Sequence, residues 1–173
     1  MIVPFPELSL GWLMPRHLDW LTASGVPMTA INKPDPVRLA HGHKAADGRF
    51  DPDPGGPDWF VFTERDDLVF WRPRTGELAT WDGRAFALGE KAIDQASTYC
   101  FGFALKIFES PLDWLRAGRD GVVILNWWGA YDGLQHCPSV ELPKSLEQHY
   151  EQHMQPRRMP QVFIRPKRRG TAA

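Results

Sequence analysis

The chain has 173 residues, of which 43% are hydrophobic and 24% charged, with eight tryptophans, so a packed globular core is expected and a disordered or fibrous chain is excluded. Twenty basic residues oppose 21 acidic ones, but six of the basic ones and no acidic one lie after residue 156. An acidic body therefore carries a basic tail, and no run approaches the ~20 apolar residues of a membrane span.

In chain order, residues 1–57 read as an N-terminal arm. One helix is predicted over 15–24, opened by Pro15 in the first turn and stopped by Gly25, with Leu18, Trp20 and Leu21 on its apolar side. Pro27, Pro34 and Pro36 hold the chain extended, and the Pro- and Gly-rich stretch 47–57 reads as a loop. Residues 58–99 read as a small antiparallel β-meander with strands over 59–63, 68–72, 77–81 and 84–88. Asp82-Gly83 supplies the turn chemistry of a two-residue type I′ hairpin between the last two, with Trp81 and Arg84 flanking it.

Residues 100–165 alternate strand and helix. Strands are predicted over 104–108, 121–126, 139–142 and 161–164, and helices over 110–118, 128–134 and 144–154. Alternation of this kind implies right-handed crossovers and a short, mostly parallel sheet. The fold class is therefore α+β: a helical arm, a small antiparallel meander, then a βαβ-type unit, with 58–165 as one compact domain. The basic tail, 166–173, is expected to be exposed, since no apolar residue follows to anchor it.

The most informative chemistry lies at 105–121, LKIFESPLDWLRAGRDG. An apolar strand ends in Glu109, and Asp113 follows four residues on in the first turn of a helix. Ser110, Pro111 and Asp113 also satisfy a capping box by themselves. The run resembles the opening of the toprim domain of primases and topoisomerases, where a strand ends in Glu-Gly. The arrangement is similar to that of uncharacterised proteins of bacterial mobile elements. That resemblance implies Mg²⁺-dependent nucleotidyl transfer, with Glu109 and Asp113 as catalytic carboxylates. Here Ser110 replaces the glycine, and no later strand ends in the Asp-x-Asp pair; Asp132 and Glu141 are the candidates for a further acid. The segment accordingly reads as a toprim-like half without catalysis.

Four other features bear on function. Trp127 and Trp128 follow the buried strand directly and, with Trp114 and Trp71, offer a stacking platform or a protein-binding hot spot. Arg165, Lys167, Arg168 and Arg169 form a basic cluster suited to phosphate contact. His149 and His153 lie one helical turn apart but lack the intervening Glu of a zinc-protease helix, and no metal site is assigned. Cys100 and Cys137 lack zinc-ligand spacing and read as small buried hydrophobes of a reducing compartment.

The sequence thus points to a cytoplasmic, non-catalytic binding protein of a phage or other mobile element. It would dock on a protein or nucleoprotein partner in DNA replication or host defence, for example as an inhibitor of a host nucleic-acid enzyme, without a cofactor. Two alternatives remain: a Mg²⁺-dependent nuclease or nucleotidyl transferase, and a single-strand-binding accessory protein.

Overall fold

A computed structural model of the chain describes residues 8–156 and residue 161. The strands are β1 (Gly11–Trp12), β2 (Arg38–Lys44), β3 (Phe50–Pro52), β4 (Asp58–Thr63), β5 (Leu68–Arg72), β6 (Glu77–Thr80), β7 (Ala87–Leu88), β8 (Leu105–Lys106), β9 (Val123–Ile124) and β10 (Val140–Glu141). The α-helices are α1 (Pro15–Ala23), α2 (Met28–Asn32), α3 (Lys91–Asp94), α4 (Pro111–Arg116), α5 (Ala130–Leu134) and α6 (Lys144–His153). The architecture is mixed α+β, as the alternation of patterns predicts.

The larger sheet is antiparallel, in the order β1-β2-β4-β5-β6, with β3 folded onto β2. Residues 58–80 form three of its strands within a residue or so of the predicted limits. The arm, where the sequence predicts extended chain and a loop, contributes the rest. β4 is buried along Trp59, Phe60, Val61 and Phe62, so both faces of this sheet are covered. On one face Leu39, Phe60, Phe62, Val69 and Trp71 pack with Leu21 of α1, Ile31 of α2 and Trp114 and Leu115 of α4. On the other, Trp59, Val61 and Phe70 pack with Phe50, whose ring stacks on Phe70 at 3.9 Å and 3°.

Gly42 makes that second face possible. A Cβ there would run into the Asp51 carbonyl and lie 2.6 Å from the Phe50 ring. A glycine inside a strand marks this kind of close approach.

The predicted hairpin at Asp82-Gly83 does not form. β6 ends at Thr80, and the next strand, β7, pairs antiparallel with β9 instead of β6. Gly83 has φ 73°, but Asp82 is not left-handed, so the two positive angles of a type I′ turn are absent. The cause lies in the preceding turn. The buried carboxylate of Asp67 accepts the N–H groups of Leu68, Trp81 and Asp82 on Oδ1 and of Arg84 and Ala85 on Oδ2, at 2.7–3.0 Å. These bonds take the place of a cross-strand ladder and send the chain away from the sheet.

The second unit is a small mixed sheet. β8 and β10 pair in parallel, Ile107 bridges Val122 in parallel, and β9 pairs with β7. The spatial order is therefore β10-β8-β9-β7, with α4 between β8 and β9 and α5 between β9 and β10. Its strands are much shorter than the runs predicted from sequence. Leu105, Ile107, Val122, Ile124, Leu134 and Leu146 form its core. The predicted strand 161–164 lies, apart from Gln161, outside the described residues.

α1 and α4 both end as the sequence predicts. The N–H groups of Gly25 and Val26 return to Thr22 and Leu21, and those of Gly118 and Arg119 return to Leu115 and Trp114. This is the Schellman pattern, which calls for a left-handed residue after the helix. No described helix is long and apolar enough to cross a membrane.

Candidate functional site

The strand-end carboxylates lie in a crevice of about 300 Å³ at the C-terminal ends of β8 and β10, lined by Lys106, Glu109, Asp113, Glu141, Leu142 and Pro143. The chain leaves β8 toward β9 on one side and re-enters as β10 on the other. Crevices at such points are where open parallel sheets bind ligands. The structure therefore puts Glu109 and two of its three candidate partners, Asp113 and Glu141, on the wall of one crevice.

The same geometry ties up much of the crevice's charge. Ser110 Oγ accepts the Asp113 N–H at 3.2 Å and donates to Asp113 Oδ2 at 2.7 Å, while Arg116 holds Oδ1 at 3.1 Å. Ser110 thus caps α4, but Asp113 returns its bond to the Ser110 hydroxyl and not to the backbone N–H, so only half of the predicted capping box is made. Lys106 is paired with Asp120 at 2.6 Å, a bond that raises the lysine's pKa. Glu109 and Glu141 are exposed. Among the described residues no three His, Cys, Asp or Glu side chains are arranged to hold a metal ion. Asp132 lines a different cavity, with Arg65 and Glu90.

The four tryptophans separate. Trp71 and Trp114 are core residues, each 3% exposed, and the Trp114 indole N–H donates to the Gly121 carbonyl at 2.8 Å. A platform of all four is therefore not formed. Trp127 and Trp128 lie in a single 3₁₀ turn, capped by Asn126, whose side-chain oxygen accepts the Trp128 N–H. Trp127 packs against the small-sheet core, whereas Trp128 is 81% exposed.

α6 completes an aromatic surface around them. His149 stacks on Trp127 at 5.7 Å and 23°, His153 meets Trp128 edge-on at 5.2 Å, and the two imidazoles lie 6.0 Å apart. The one-turn spacing of the histidines thus serves ring packing against the tryptophans. Cys100 is exposed and Cys137 half-buried, so neither is the fully buried hydrophobe expected. The Cys137 thiol lies beside Tyr99, whose phenol is pushed up by burial and by that thiol. The basic residues Arg165, Lys167, Arg168 and Arg169 lie outside the described residues.

Two groups that sequence reasoning passed over sit between the sheets. Glu64, at the end of β4, is buried, and its carboxylate accepts the N–H groups of Gly89 at 2.7 Å and Glu90 at 3.2 Å. Burial, helped by the neighbouring Glu90 charge, pushes its pKa up to about 7 against those bonds. Arg119 enters the same cavity from the end of α4, where burial lowers its pKa to about 10. Gly118 signals the helix end, but nothing local signals that Glu64, 55 residues away, will face the arginine it turns inward.

Comparison of the chain with family models, with curated proteins and with solved structures finds no match.

Proposed function

We propose that this chain is a non-catalytic binding protein that docks on a protein partner through the surface formed by Trp127, Trp128, His149 and His153. The observation that carries the reading is Trp128, a large aromatic side chain left 81% exposed on a ring-packed, capped turn. An exposed indole on a rigid base is the usual anchor of a protein interface, because little side-chain entropy is lost when it is covered. The sequence likeness of residues 105–121 supports the partner's class: a protein or nucleoprotein of DNA replication or host defence, met by a mobile-element product. Inhibition of a nucleic-acid enzyme fits this role, since an acidic body complements a basic groove. The same charge repels a long polyanion, which favours protein over nucleic acid.

The test is affinity capture from the encoding organism, with and without nuclease, using the intact chain and Trp128→Ala. Nuclease-resistant capture of one protein, lost with Trp128→Ala, supports the proposal. Capture that nuclease abolishes, or that the substitution leaves unchanged, sinks it.

A second reading rests on the crevice at the parallel strand ends, whose wall includes Glu109, Asp113 and Glu141. It makes the chain a Mg²⁺-dependent nucleotidyl transferase or nuclease with Glu109 as its principal carboxylate. Saturable Mg²⁺ binding by calorimetry, lost in Glu109→Gln, would support it; absence of any Mg²⁺ heat would remove it.

A further inference from the structure

We propose that the cavity between the end of β4, α3 and the end of α4 is a binding site for a small oxyanion, held by the Nε–Nη2 edge of Arg119 with Lys91 beside it. This site is separate from the aromatic surface and does not depend on it.

The case begins with the donors of Arg119. Its Nη1 donates to the Asp35 carbonyl at 2.9 Å. Its Nε and Nη2 atoms are fully buried, and neither has an acceptor among the described residues. Buried donors in folded proteins are almost always paired, and a guanidinium edge even more so, because the charge cannot be shed. The Nε–H and Nη2–H bonds run parallel, in the geometry that matches two oxygens of a carboxylate or phosphate.

The nearby carboxylates do not serve as that acceptor. Glu64 directs both oxygens to the N–H groups of Gly89 and Glu90. The Asp35 carboxylate faces Lys91 at 3.6 Å. Phe62 and Trp114 sit 5.7 and 5.4 Å from the guanidinium carbon, so their π faces stabilise its charge but offer no lone pair to the free edge.

The backbone holds Arg119 in place against its own preference. Its φ is 63°, left-handed for a non-glycine residue, following Gly118 at 71°. The Schellman end of α4 thus turns the side chain into the cavity. Side chains kept in sparsely populated backbone regions cluster at ligand sites. With Lys91 paired to Asp35, and Glu64 in the same cavity uncharged below its pKa of about 7, a single anion on Arg119 brings the site to neutrality below that pH. The volume, about 240 Å³, corresponds to roughly eight waters at about 30 Å³ each. The ligand is therefore a small carboxylate or phosphate compound.

The experiment uses the full chain, with sodium sulfate and sodium acetate as probes and sodium chloride at matched ionic strength as control. The readouts are the NMR cross-peak of the Arg119 Nε–H and the melting temperature. A saturable shift of that cross-peak, with a rise in melting temperature over chloride that Arg119→Met abolishes, is the expected result. No saturable response to either anion, or a response that Arg119→Met retains, overturns the proposal. If Arg119→Met does not fold, Lys91→Gln decides, because Lys91 is 49% exposed and its loss leaves the core intact. A several-fold weaker anion response then supports the site, and an unchanged one overturns it.

Discussion

Replacing Asp67 by Asn tests how the two sheets are joined. The substitution keeps the shape of the side chain and turns one acceptor oxygen into a donor. If the amide oxygen takes the Oδ1 position, Arg84 and Ala85 lose the oxygen they now bond; if it takes the Oδ2 position, Leu68 and Asp82 lose theirs. Trp81 is less sensitive, since its N–H also reaches the Leu68 carbonyl at 3.0 Å. Either way two donors at a site only 3% exposed face an NH₂ group. At about 1–3 kcal/mol for each buried unsatisfied group, the expected loss is about 4 kcal/mol, a large share of a typical domain's stability. The melting temperature should fall by roughly 10 °C for a chain of this size. Urea unfolding followed by tryptophan fluorescence measures it, with Trp81 at the affected segment. A loss under about 1 kcal/mol would mean that Asp67 does not organise residues 81–85.

Glu64→Gln should alter the pH dependence of stability. Its folded pKa of about 7 exceeds the ordinary 4.5, so its contribution is full below pH ~4.5 and lost as pH rises through 7. Gln carries a pH-independent cost from the one N–H, of Gly89 or Glu90, that loses its acceptor, so the test is the change with pH: between pH 5 and pH 8.5 the variant should gain on the order of 2 kcal/mol on the parent, and a difference independent of pH would contradict the assignment. Gly42→Ala should destabilise by about 2–3 kcal/mol, because its methyl collides with the Asp51 carbonyl and the Phe50 ring, and an unchanged urea midpoint would refute the close approach. Ser110→Ala should cost about 1 kcal/mol through loss of the α4 cap, measurable in the same assay; no loss would mean the cap contributes little.

The parts of the fold legible in the sequence are those fixed by neighbours in the chain. α1 and α4 follow from Pro at the first turn, glycine at the end and, for α4, the Ser110 cap. β4 to β6 follow from short apolar runs separated by turn residues. What was not legible depends on distant partners. β2 contains His41, Gly42 and His43, a polar stretch without strand patterning, and it becomes a central strand because Gly42 lets Phe50 and Gly56 approach. Asp82-Gly83 carries a hairpin signature, but a carboxylate 15 residues earlier supplies the acceptors and redirects the chain. At the candidate sites, Glu109 and Asp113 were legible as neighbours across a strand end and a helix start, but the sequence did not distinguish Glu141, which joins them, from Asp132, which does not. The cavity of Glu64 and Arg119 was not, because its walls come from four separated segments.

The most direct test of the proposed role is the affinity of the purified chain for the partner recovered by capture, compared with that of Trp128→Ala. Trp128 is mostly exposed, so the substitution should leave the melting temperature within about 2 °C of the parent, as surface changes away from packed features do. Binding should weaken by about 30-fold or more, the ~2 kcal/mol of a central aromatic anchor. An unchanged dissociation constant with a fully folded variant would contradict the docking surface.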